Sequence, residues 1–101
     1  MLIQFSMFPT AGEESASGEV SKVIDIIDKS GLPYRTGSMA TVIEGEWDEL
    51  MALINKCRLK LRESNRRVYM VLTMDDREGV EGRLDGKVES LEKKLNRKIK
   101  S

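Results

Sequence analysis

Residues 34–50 read YRTGSMATVIEGEWDEL, and the order of elements in the fold turns on how this stretch is divided. Gly37-Ser38 is a glycine-first pair suited to a tight hairpin, so Tyr34–Thr36 and Met39–Glu44 are expected as successive strands. Directly after them, Glu46, Asp48 and Glu49 concentrate negative charge where a helix N-terminus favours it. Leu50, Ile54, Cys57 and Leu61 then recur on one helical face, which predicts a helix from this junction to about Ser64. The middle of the chain is therefore strand, strand, helix.

On the N-terminal side, Leu2 to Phe8 is a short apolar run ended by Pro9 and reads as a strand. Val20, Val23, Ile24 and Ile27 follow at helical spacing, with Ser17 placed to cap the start and Gly31 placed to close the helix ahead of Pro33. On the C-terminal side, Val68 to Met74 (VYMVLTM) is the longest apolar run and rich in β-formers. Leu84, Val88, Leu91 and Leu95 continue as the stripe of a charged last helix. The resulting order, β-α-β-β-α-β, is the split βαβ pattern of a ferredoxin-like sandwich with an additional C-terminal helix, an α+β fold. A length of 101 residues with 40% apolar content suits one domain spanning residues 1–101.

Helices on one side of the sheet leave its other side to be covered. Strands one and four read as apolar on both sides, through Leu2, Ile3, Phe5, Met7 and Phe8, then Val68, Tyr69, Met70, Val71 and Leu72. An uncovered apolar face of that size is unusual in a soluble monomer, so a second subunit is expected over it. The competing arrangement is that the third helix folds across the same face. The six methionines suit adaptable packing in either case.

Composition excludes several classes. Lys and Arg balance Asp and Glu at 17 each, so no global field favours nucleic acid or an anionic membrane. The start, Met1-Leu2-Ile3-Gln4-Phe5, has no basic n-region, and no apolar run approaches the roughly 20 residues that span a bilayer, so a soluble, cytoplasmic protein is expected. The single cysteine, Cys57, falls in a helical stripe and reads as core filler. Histidine is absent, which removes serine-histidine and cysteine-histidine dyads and ordinary catalytic zinc sites.

Three polar clusters remain. Glu44 ends an apolar strand beside Gly45 and Trp47, outside the helical turn that Glu46, Asp48 and Glu49 serve. Asp75-Asp76-Arg77 leaves strand four; adjacent strand residues point to opposite faces, so an ion pair is favoured over a metal site. Arg66-Arg67 reads as a solvated turn or an anion contact. Tyr34 and Tyr69 are candidates to line a site for a flat ligand, or ordinary packing residues. The connection from Pro9 to Ser17 holds Glu13-Glu14 and no Lys or Arg, which argues against a phosphate cradle.

These residues also carry a family likeness. Ser30-Gly31-Leu32-Pro33-Tyr34, the run Met39 to Glu49, Arg67-Val68, Asp75-Asp76-Arg77 and Lys87-Val88-Glu89-Ser90 resemble the small thiamine-binding proteins of the YkoF type, most specifically in Thr41 to Glu46. The resemblance implies a ferredoxin-like subunit that pairs through its sheets into homodimers or homotetramers. It implies a small-molecule ligand, thiamine or its hydroxymethylpyrimidine half, with no catalysis and no cofactor. Thr41, Glu44, Asp76 and Arg77 are the motif residues carried over by position. With Tyr34, Met39 and Trp47 they make up the expected ligand-binding set. The glycine-rich, acidic segment Glu78–Gly86 departs from the family pattern.

An aminopyrimidine offers an exocyclic amine donor, ring-nitrogen acceptors and a flat face, which match a carboxylate, a hydroxyl and an aromatic ring. Strict alternation places Thr41 with Met39 and Ile43, and Glu44 on the opposite face. One pocket would then need a bend near Gly45 or a neighbouring subunit. The expected role is a carrier or sensor; the alternative is a structural or regulatory oligomer without a metabolite.

Overall fold

The computed structural model describes residues 1–9, 17–79 and 82–101. Its elements are β1 (Leu2–Pro9), α1 (Ser17–Lys29), β2 (Tyr34–Thr36), β3 (Thr41–Glu44), α2 (Trp47–Arg62), β4 (Val68–Asp75) and α3 (Arg83–Leu95). The strands form one antiparallel sheet in the order β2-β3-β1-β4. This is the expected α+β arrangement with its extra C-terminal helix. The connection discussed above for Glu13-Glu14 lies outside the described residues.

Alternation along the strands assigns the two faces. Ile3, Phe5 and Met7 of β1 and Thr41 and Ile43 of β3 are buried toward the helices. Val23 and Ile27 of α1 and Leu50, Leu53, Ile54, Cys57 and Leu61 of α2 meet them there. Gly31 closes α1 with φ of 79°, a left-handed conformation that glycine adopts without steric cost. Cys57 is fully buried, and burial pushes its thiol up to about 11, so it acts as a small hydrophobe.

Two expectations need correction. The β2–β3 connection is a four-residue loop, Gly37 to Ala40, not a two-residue hairpin: Thr36 pairs with Thr41, and the Gly37 N–H donates to the Ala40 carbonyl at 2.9 Å. Gly37 does not take the positive φ that a glycine-first tight turn requires. Nor is the sheet's outer face uniformly apolar. Leu2, Gln4 and Ser6 pair there with Asp75, Thr73 and Val71, so polar side chains interrupt it. Met70 and Met74 lie on the helix side yet remain 36% and 41% exposed, because β4 is an edge strand that the helices only partly cover.

The third helix meets the outer face chiefly at β3. None of its residues is buried, and Leu91 and Leu95 are 40% and 50% exposed. Tyr69 and Val71, both pointing away from α1 and α2, each remain 47% exposed. So α3 does not close the outer face over β4.

Candidate functional site

The end of the sheet where β1 finishes and α1 starts holds a cavity of about 220 Å³. Phe5 and Met7 line it from β1, Val20 and Ile24 from α1, and Thr36 and Thr41 from the β2–β3 pair. Ser6 and Ser38 border it too, and a hydroxyl pair faces it: Thr36 Oγ1 and Thr41 Oγ1 lie 3.2 Å apart. One hydroxyl donates to the other, which leaves one O–H and spare lone pairs for a third group. The pair exists because antiparallel partners place their side chains on the same face, and residues 36 and 41 are partners. Met39 also lines the cavity, but at 89% exposed it stands at the rim rather than on the floor.

Glu44 sits at the other end of β3 and on the outer face. Its Oε2 accepts the backbone N–H of Arg83 and its Oε1 that of Leu84, both at 3.1 Å. The carboxylate thus caps the first turn of α3, satisfying donors that a helix start leaves unpaired. Burial pushes the Glu44 carboxyl up, but the N–H groups of Arg83, Leu84 and Gly82 outweigh that and hold it below the usual range. Arg35 with Asp85, at 2.6 Å, and Arg83 with Asp75 complete the polar fastening of this helix.

A pH dependence follows. Because the folded carboxyl titrates below its ordinary 4.5, its contribution is complete above that value and is lost as pH falls through the folded pKa. Glu44→Ala should weaken the docking of α3 by about 1–2 kcal/mol. Amide exchange of residues 83–95 at neutral pH should rise in this variant, while protection of the β1–β3 ladder stays. Unchanged exchange in α3 would show that the cap contributes nothing.

The remaining expected residues divide between the two ends. Tyr34 faces the helices, where its hydroxyl donates to Asp28 at 2.8 Å; that bond raises the phenol and directs it toward the end of α1. Trp47 opens α2 at 51% exposure. Asp76 and Arg77 follow β4, whose last residue, Asp75, shares Leu2 as a partner with Glu44. The structure therefore groups Met39 with Thr41, and places Glu44, Asp76 and Arg77 near the opposite end of the sheet. Sequence reasoning passed over Thr36, Phe5, Val20 and Ile24 as site residues; the correct register of the β2–β3 pair would have found Thr36. Among the described residues, no group of three or more His, Cys, Asp or Glu side chains is arranged to hold a metal ion. No helix among them is long and apolar enough to cross a membrane.

A split-βαβ sheet with two helices on one face, here with a small cavity between α1 and the strands, defines a ferredoxin-like α+β protein. The chain belongs to the thiamine-binding protein family, whose model it matches over residues 3–92. A UPF0045 protein of Mycobacterium bovis is 35% identical over 98 residues, 96% of each chain. The crystal structure of a Methanocaldococcus jannaschii protein superposes with a TM-score of 0.81 at 27% identity, covering 89% of this chain and 93% of that one. A Thermotoga maritima protein provisionally assigned to thiamine biosynthesis or salvage shares the fold at a TM-score of 0.78 and 21% identity, covering 89% and 96% of the two chains.

Proposed function

We propose that this protein binds thiamine or its hydroxymethylpyrimidine half without transforming it, and that the pyrimidine ring occupies the Thr36–Thr41 cavity. The observation that carries the reading is the part-buried hydroxyl pair beside the apolar side chains of Phe5, Met7, Val20 and Ile24. A flat ring with donors and acceptors on its edge is complementary to that combination. The volume of about 220 Å³ falls below the roughly 300–1,000 Å³ of sites that enclose drug-sized ligands. It suits a single ring, with a second ring of thiamine left at the mouth beside Met39. Glu44, Trp47, Asp76 and Arg77 would contact the ligand only from another subunit or after a rearrangement of α3.

The same reading includes self-association as a carrier or sensor. The family resemblance implies pairing through the sheets, and the half-exposed Tyr69 and Val71 on the outer face supply apolar surface for it. A second copy is the occupant proposed for that face.

Calorimetric titration with thiamine and with hydroxymethylpyrimidine tests the binding claim. Thr41→Val keeps shape and removes one hydroxyl, so affinity should fall by about 0.5–1.5 kcal/mol, roughly two- to twelvefold. Equal affinity in the variant would remove Thr41 from the site. Absence of binding to the unmodified protein would leave a structural oligomer as the better account.

A further inference from the structure

The chain is electrically balanced overall, yet its charges are not evenly spread. Residues 54–67 read INKCRLKLRESNRR, with six cations and one anion. Lys60 and Arg62 lie in the last turn of α2, where the helix dipole accounts for them. Lys56 and Arg58 lie further back, and no such account covers them.

Part of this basic stretch borders a groove of about 400 Å³ between α1 and α2, on the side of the helices away from the sheet. Its floor is apolar: Ile26 is partly buried, Leu53 is 5% exposed and Leu59 is 50% exposed. Its rim carries Lys29, Lys56 and Lys60. Lys29 pairs with Asp25 at 2.8 Å and Lys60 with Glu63 at 3.1 Å, but these are exposed pairs of small net worth that exchange partners readily. Lys56 forms no ion pair among the described residues. An exposed leucine ringed by lysines combines an apolar anchor point with charges that select and steer a partner.

We propose that this groove is a docking surface for an acidic peptide segment of a partner protein, carrying an apolar side chain that seats on Leu59 while its carboxylates meet Lys29, Lys56 and Lys60. Charge complementarity makes the occupant acidic, and the leucine and isoleucine floor makes it amphipathic. A nucleic-acid strand fits less well, because the residues lining the groove include no aromatic platform for bases. The inference is independent of the ligand cavity, which lies at the start of α1 and under the sheet's other end.

The test uses fluorescence anisotropy with a labelled synthetic peptide in which glutamates flank leucines at i, i+4 spacing. Saturable binding is expected, weakening with salt and falling by about tenfold or more in Lys56→Glu and in Leu59→Ser. Both positions are exposed, so thermal melting should stay unchanged in the variants, and thiamine titrations should be unaffected by either. No saturable binding, or equal binding by the variants, overturns the proposal. So does equal affinity for a peptide with its leucines replaced by serine, for a single-stranded oligonucleotide, or for anionic phospholipid vesicles.

Discussion

Replacing Phe5 with alanine is expected to destabilise the protein by about 3–5 kcal/mol, the range for truncating a buried aromatic side chain. Phe5 is 3% exposed on a central strand, paired with Thr41 on one side and Leu72 on the other. Its ring belongs both to the core and to the wall of the proposed ligand cavity. Truncation therefore joins the existing space to a new void rather than letting neighbours close over it. Small proteins have only about 5–15 kcal/mol of net stability, so a large share of the total is at risk. Urea unfolding should show a lower midpoint with an unchanged slope. A loss below about 1 kcal/mol would mean that Phe5 is not packed as described.

Val71→Glu is expected to convert the proposed assembly to monomers while leaving the subunit folded. Val71 lies on the outer face opposite Ser6 and is 47% exposed in the isolated chain, so the subunit itself tolerates a carboxylate there. In an interface between sheets the same carboxylate would be buried without a partner, a penalty of about 3–5 kcal/mol. Tyr69, two residues earlier on the same face, should behave alike when replaced by glutamate. Light scattering of the unmodified protein at micromolar concentration should report more than one subunit, and of the variants, one. A monomeric unmodified protein, or a variant that stays assembled, would place self-association elsewhere or nowhere.

The order of elements was legible in the sequence because periodicities of two and of about 3.6 residues are set by the same geometry that buries side chains. The stripes Val20 to Ile27 and Leu50 to Leu61 named the helix faces that form the core. Local register was less legible. Gly37-Ser38 looked like a tight turn, but the loop holds four residues, and this difference decides whether Thr36 faces Met39 or Thr41 across the pair. The hydroxyl pair was hidden for that reason alone.

The outer sheet face is less apolar than the runs Leu2–Phe8 and Val68–Leu72 suggest, because Gln4 and Ser6 alternate onto it opposite Thr73 and Val71. Glu44 presents a different limit. Its position at a strand end singled it out, but its partners are backbone N–H groups of Arg83 and Leu84. Almost any residue type supplies such a donor, so no pattern in the side chains announces the contact. The alternation argument that Thr41 and Glu44 point to opposite faces was sound, and it separates the expected site residues in the fold.

In the proposed complex a pyrimidine ring sits against Thr36 and Thr41. The most direct test of this placement is to titrate isotopically labelled protein with thiamine, and separately with hydroxymethylpyrimidine, while following the backbone amide signals by NMR. Saturable shifts are expected with both ligands, centred on Phe5–Met7, Val20–Ile24 and Thr36–Thr41. Saturable shifts centred instead on Glu44, Trp47 and Asp76, or no saturable shifts with either ligand, would contradict this placement.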